Sequence, residues 1–428
     1  MELLTCPLFK HAECTPTQVA LQIEDQSWTY HQLNQIVNSL CLQLQAQDIR
    51  EGSRVAFIAT TTLPTILLFP ALFRLKAIAC PLSTRIPPEQ ISSHLDRLKS
   101  SHFVYPDRYS LNPSPSKKVP LLSADSLATF LFTSGSSGIP KIACHSFANH
   151  YYNALGSLES LKLHSDSRYL LSLPLFHVGG IAILFRCWLS GSRIVLSSLP
   201  LLDTLKVHPL THLSLVPTHL YRLLQAKLPP SPSLQCLLLG GAPSSSQLLL
   251  SASKAHWPVH TTYGLTEASS MVTLQTVLPF REIQVINSEI LIRGKTLFQG
   301  YWDSAQESIS KHTQDGWFAT KDLGVIHPDG RLEIIGRKDR QFISGGENIQ
   351  PEEIEKALCT LPGIIAAYVT STPDEEFGRR PIAFIEDVSG KHTLETIRQG
   401  LKPQLPSFKH PIHLAPLSSL QTSNMKFL

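Results

Sequence analysis

The apolar run Leu127 to Phe132 ends in Thr133-Ser134-Gly135-Ser136-Ser137-Gly138-Ile139-Pro140-Lys141, and this junction restricts the fold more than anything else in the chain. A run of that length, apolar but for Thr129, reads as a strand buried on both faces, as in sheets covered by helices. The glycines that follow let backbone approach an anion closely, the hydroxyls add donors, and Lys141 brings a point charge. The stretch therefore reads as a polyphosphate-holding loop at the C-terminal end of a strand. It is not a Walker A sequence, because Pro140 separates the last glycine from Lys141. A Gly/Ser-rich surface linker is the competing reading, and the flanking strand and the Pro-Lys ending argue against it.

Helical and strand patterns alternate through the first three quarters of the chain, which predicts an α/β fold with largely parallel sheets. Leu33, Ile36, Val37, Leu40 and Leu44 share one helical face after an expected N-cap at Thr29. Arg54 to Ala59, Leu213 to Val216 and Leu237 to Leu239 read as short buried strands. The last runs into Gly240-Gly241-Ala242-Pro243, a backbone-accessible turn where open α/β sheets bind ligands. Tyr105 to Ser126, rich in Pro, Ser, Lys and Asp, reads as a loop. After Gly336 the character changes to a shorter α+β stretch, and Pro351-Glu352-Glu353-Ile354-Glu355 opens a helix with proline and acids in its first turn. The expected organisation is a large domain over 1–338 and a small one over 339–428.

At 428 residues the chain exceeds what one hydrophobic core supports. Apolar residues at 43% against 16% charged exclude a disordered chain. A net charge of +4 is too mild to imply a nucleic-acid partner. None of the eight cysteines stands at zinc-ligand or redox-motif spacing. The first ten residues lack a signal-peptide pattern, and the most apolar window, Leu63 to Leu82, is interrupted by Arg74, Lys76 and prolines. A cytoplasmic protein without a membrane partner is expected, as a monomer or homo-oligomer.

Two further segments carry chemistry. Tyr263-Gly264-Leu265-Thr266-Glu267 sets a hydroxyl and a carboxylate after glycine, a pair suited to a phosphate oxygen and Mg²⁺, or alternatively a solvated loop carboxylate. Asp322, in Thr320-Lys321-Asp322-Leu323-Gly324, suits the two hydroxyls of a ribose, or alternatively a turn.

The motif Gly336-Arg337-Lys338-Asp339, followed by Ser344-Gly345-Gly346-Glu347-Asn348-Ile349, resembles the adenylate-forming superfamily of acyl- and aryl-CoA synthetases, luciferases and peptide-synthetase adenylation domains. The resemblance covers nearly the whole chain, with the motifs in the family's order. It implies a large domain of layered sheets and helices with a small hinged α+β C-terminal domain. It also implies use of ATP, Mg²⁺ and CoA. On that resemblance Thr133 to Lys141 is the phosphate loop, while Gly240, Gly241, Ala242, Pro243 and Tyr263, with Gly264, wall the adenine. Thr266 and Glu267 contact phosphate and magnesium, Asp322 and Arg337 hold the ribose, and Asp339 is the hinge. Gly345 and Gly346 border the pantetheine tunnel, and Lys426 is the catalytic lysine.

Within the superfamily, Leu173-Pro174-Leu175-Phe176-His177-Val178-Gly179-Gly180, Leu213 to Thr218, Gly345 to Glu353 and Phe377-Gly378-Arg379-Arg380-Pro381 are similar to the 2-succinylbenzoate-CoA ligases of menaquinone biosynthesis. The implied reaction joins an aryl acid, ATP and CoA into the thioester, AMP and pyrophosphate through an acyl-adenylate. In that family a histidine at His177 lies between acyl and thiol sites, and Ser269, Ser270 and Thr273 are expected beside the aryl group. Two departures stand out: Lys321 replaces a common glycine, and Met425 replaces the glycine before Lys426. Another aryl- or medium-chain acyl-CoA ligase and a catalytically impaired nucleotide-binding relative are the alternatives.

Overall fold

The computed structural model describes residues 2–114, 121–133, 140–311 and 313–420. They form two compact units: Met1–Gly241, His256–Glu282 and Ile292–Phe318 in the first, and Ala242–Ala255, Ile283–Leu291 and Ala319–Leu428 in the second.

Among the described residues, the first unit holds a nine-stranded and a seven-stranded sheet. Strands His212–Leu215, Cys236–Leu239 and Val259–Leu265 run parallel side by side in the nine-stranded sheet, so their C-terminal ends line up. Strands Arg54–Ile58, Ile78–Leu82 and Leu127–Thr133 run parallel in the other. The expectation of parallel sheets holds at these centres. At the margins both sheets turn antiparallel, and strand Leu127–Thr133, which leads into the expected phosphate loop, pairs antiparallel with Lys141–Ser146, Thr133 opposite Lys141. Residues 134–139, in the middle of that loop, lie outside the described residues.

One buried core draws on both sheets, from Leu21, Tyr169 and Ile194 to Val55, Phe57 and Leu131. Helices Leu63–Arg74 and Val178–Ser190 are buried on nearly every face, as expected of helices packed inside a layered domain. Thr29 caps Tyr30–Ala46 through a reciprocal capping box with Gln32, and the five apolar residues expected on one face are all buried. Among its described residues, the segment Tyr105 to Ser126, expected as a loop, contains one 3₁₀ turn, Pro106–Arg108, and a two-residue strand, Leu122–Ser123.

In the second unit, residues 322–326 of strand Trp317–Ile326 pair with Leu332–Arg337, which ties Asp322 to Arg337. This hairpin leads up to position 338, where the small domain is expected to begin, and the segment Ala319–Leu428 clusters as a whole with the second unit. A three-stranded sheet of Ile364–Asp374, Gly378–Asp387 and His413–Pro416 packs with helices Pro351–Leu358 and Leu394–Leu401 around Ile354, Val369, Ile385 and Ile397. All eight cysteines are free; Cys14 alone is exposed, while burial pushes the Cys41 and Cys359 thiols up to about 11.

Candidate active site

In the first unit the strand ends deliver the expected residues to one region. The register Leu215↔Leu239 and Leu239↔Thr261 places Pro217 and Gly241 just past their strand ends and level with Tyr263, which lies within strand Val259–Leu265. Gly264 sits at a bulge in the antiparallel pairing with Ser270–Leu274, where a Cβ would lie 2.0 Å from the Ser270 carbonyl oxygen. No side chain fits there, so the bulge redirects the chain into the single turn Thr266–Ala268 that carries Thr266 and Glu267.

Strand Lys141–Ser146 reaches that turn through His145, and its neighbour Gly300–Asp303 reaches it through Tyr301. Alternation along Lys141–Ser146 puts Lys141, Ala143 and His145 on one face. The buried His145 donates Nε2–H to the Thr266 carbonyl at 2.7 Å, while the Thr129 hydroxyl lies 3.4 Å from its other ring nitrogen and 2.8 Å from His150. Burial holds the His145 imidazole down to about 4, so the ring is neutral at physiological pH. Tyr301, opposite Ala143 on the adjacent strand, donates its hydroxyl to Glu267 Oε1 at 2.5 Å. The Lys141 ammonium stands 4.7 Å from the Tyr301 ring centroid. Neither His145 nor Tyr301 was marked in the sequence analysis, because their roles come from strand register rather than a motif.

His177 precedes helix Val178–Ser190, its ring 4.6 Å from Phe176. Surrounding protein and the Arg85 charge both disfavour its protonated form. Beside it a pocket of about 180 Å³ is lined by Ala59, Thr61, Arg85, Ser172, Leu173 and Phe176. On the same helix Arg186 is 1% exposed; its Nε donates to Ser157 at 3.2 Å, and its Nη2 has no hydrogen-bond partner among the described residues. Ser269 is buried with its hydroxyl donated to Thr296, so that hydroxyl is committed to the fold.

In the second unit Arg337 bridges two carboxylates: Nη1 to Asp322 at 3.0 Å, and Nε and Nη2 to Asp339 at 3.1 and 2.9 Å. Partial burial raises the Asp339 carboxyl, but the Arg337 contacts outweigh it and the net direction is downward. Lys321 adopts φ +63°, a left-handed conformation that suits glycine, which accounts physically for the residue type common at this position. Gly345 and Gly346, at φ +57° and +85°, form the two-residue turn between strands Phe342–Ser344 and Glu347–Ile349. Ala242 opens a separate segment of this unit, and Lys426 lies outside the described residues.

Strand ends that bring a lysine, a carboxylate and glycine backbone together have chemistry suited to a nucleotide's phosphates. The chain belongs to the AMP-binding enzyme family, whose model matches residues 8–111 and 105–302, with the AMP-binding enzyme C-terminal domain matching 353–424. It is 33% identical to the 2-succinylbenzoate–CoA ligase of Escherichia coli (strain K12), over 92% of this chain and 90% of that protein. It is 30% identical to the Bacillus cereus (strain ATCC 10987 / NRS 248) enzyme of the same name, over 100% and 98%. Among solved structures, the Bacillus subtilis o-succinylbenzoate CoA synthetase in complex with the acyl-adenylate OSB-AMP superposes with a TM-score of 0.88 at 26% identity, covering 98% of this chain and 96% of that one. A variant of Escherichia coli MenE with bound OSB-AMS gives 0.86 at 30% identity, covering 97% and 96%. The Bacillus subtilis enzyme in complex with ATP and magnesium ion gives 0.86 at 26% identity, covering 97% and 96%.

Proposed function

We infer that the protein is an AMP-forming acid–thiol ligase that converts 2-succinylbenzoate, ATP and CoA into 2-succinylbenzoyl-CoA, AMP and pyrophosphate, a step of menaquinone biosynthesis. Near full-length similarity to ligases of that name carries the reading, and the Lys141–Tyr301–Glu267 arrangement at the strand ends agrees with it.

In the first half-reaction the aryl acid's carboxylate attacks the α-phosphorus of ATP and pyrophosphate leaves. Two anions must be brought together, so positioned cations lower the barrier, commonly by about 3 to 4 kcal/mol. We assign Thr133, Ser134 to Gly138 and Lys141 to the phosphates, and Gly241, Ala242, Tyr263 and Gly264 to the adenine. Asp322 and Arg337 are assigned to the ribose, and Lys426 to the reacting phosphate. Glu267 fits Mg²⁺, because that ion takes one or two carboxylates with substrate oxygens, and Tyr301 occupies only one Glu267 oxygen. The ion would neutralise charge on the pyrophosphate. In the second half-reaction the CoA thiol attacks the acyl-adenylate carbonyl and AMP leaves. We assign His177, Gly345 and Gly346 to the acyl and thiol path. Residues 339–428 are proposed as a small mobile domain turning at Asp339, which exchanges Lys426 for the thiol channel. A cytoplasmic location suits these soluble substrates; among the described residues no helix is long and apolar enough to cross a membrane.

The substrate's second carboxylate needs a partner, and Arg186 is our assignment. A buried guanidinium with an unpaired N–H is costly until an anion meets it. Arg186→Gln is expected to raise KM for 2-succinylbenzoate roughly 10- to 100-fold, equivalent to the loss of one charged hydrogen-bonded contact or two, with KM for ATP unchanged. An equal rise in both constants would refute the assignment. The reaction itself is tested by ATP-dependent pyrophosphate release with 2-succinylbenzoate, benzoate, medium-chain fatty acids and amino acids, each with and without CoA. A response selective for 2-succinylbenzoate and completed by CoA is expected; selectivity for another acid would overturn the substrate.

A further inference from the structure

Strand Lys141–Ser146 lies between two elements that must act on the same polyphosphate: the loop ending at Lys141 and the turn bearing Glu267. The neighbouring strand Gly300–Asp303 pairs antiparallel with it, Tyr301 opposite Ala143 and Gly300 opposite Cys144. Paired residues share a sheet face, so Tyr301 emerges on the Lys141 and His145 face, one diagonal step from Lys141.

Both ends of the tyrosine are used. Its ring lies under the Lys141 ammonium at 4.7 Å and meets Phe298 edge-on at 4.9 Å. The Phe298 backbone N–H in turn donates to the Glu267 carbonyl at 2.8 Å. Its hydroxyl donates to Glu267 Oε1 at 2.5 Å. A glutamate side chain on a one-turn segment has three rotatable bonds, and one fixed oxygen removes most of that freedom. The second oxygen is then held at a set distance from a lysine whose own position depends on the same ring.

We propose that Tyr301 is a positioning residue for the adenylation half-reaction, setting the Glu267 carboxylate for the metal and the Lys141 ammonium for the phosphates through one rigid side chain. This rests on the assignment of Glu267 and Lys141 above. The two half-reactions separate the idea from a general structural role, because only the first involves metal and pyrophosphate.

The test is Tyr301→Phe, which keeps the ring and its packing and removes the hydroxyl. Mg²⁺-dependent binding of ATP, measured calorimetrically without acid, and the rate of pyrophosphate release are each expected to fall about tenfold, the worth of one hydrogen bond to a charged group. Thioester formation from supplied acyl-adenylate and the thermal midpoint are expected to match the parent protein. Tyr301→Leu, which also removes the ring beneath Lys141, is expected to weaken ATP binding further. Parent-like ATP binding in Tyr301→Phe, or equal loss in both half-reactions, would overturn the proposal. Glu267→Gln separates the two levels. Loss of metal-dependent ATP binding there, with Tyr301→Phe unaffected, rejects Tyr301 alone. Retention in Glu267→Gln rejects the metal assignment and the proposal with it.

Discussion

His145 supports the site by staying neutral. Its free-chain value of 6.5 falls to about 4 in the fold because burial penalises the imidazolium. Between those values the unfolded chain binds the extra proton and the folded one does not, so stability is complete above 6.5 and declines as pH falls toward 4. The shift corresponds to about 3 kcal/mol by pH 4, and His150, shifted the same way, adds to it. Denaturant unfolding at pH 7 and pH 4.5 is expected to show this loss, with a shallower pH dependence in His145→Gln. An identical slope in that variant would refute the account. Motifs singled out Lys141, Glu267 and Asp322 in the sequence, and the family resemblance added Arg337. His145, Tyr301 and Arg186 escaped notice because a lone His, Tyr or Arg in an apolar stretch reads as core until register and partners are known.

At the scale of elements, strands and caps were the most legible features. The expected strand at Leu237–Leu239 is the observed Cys236–Leu239 with one residue added, and the Thr29 cap stands where Thr-x-x-Gln places it. The antiparallel return after the Gly/Ser-rich loop was not legible, because Lys141–Ser146, with Lys141, His145 and Ser146 among its six residues, carries no clear strand pattern of its own. Helix Pro351–Leu358 is anchored by Arg340, which reaches Glu352 at 2.9 Å, Glu355 at 2.6 Å and the Val369 carbonyl at 2.9 Å. The Glu355 carboxyl is raised by burial, only partly relieved by Arg340. Removing the cation strands two carboxylates, so Arg340→Ala is expected to cost the second unit about 3 to 5 kcal/mol. Calorimetric unfolding would register this as an early transition, and an unchanged profile would contradict the anchoring role.

For the molecule as a whole, the charged turn Gly336 to Arg340 marks a joint in the sequence, and strand Trp317–Ile326 with its partner Leu332–Arg337 runs up to that turn within a segment that continues to Leu428. Asp339 is tied to Arg337 by two contacts, so a substitution there changes an ion pair as well as the backbone. Asp339→Pro and Asp339→Ala separate the two effects. If Asp339 is the hinge, proline alone is expected to slow thioester formation from supplied acyl-adenylate, about tenfold or more, while pyrophosphate release persists. Matching loss in both variants would assign the effect to the ion pair.

The distribution of thiols has a practical consequence. With Cys14 exposed and the other seven thiols buried or half-buried, a maleimide dye should modify the native protein at one position. A second, acceptor dye at Val388→Cys, a 62% exposed site in the other unit, would make an optical ruler across the enzyme. The proposed turning at Asp339 predicts energy transfer that changes during turnover, read with the chain's own cysteine at one end, and a constant signal would count against it.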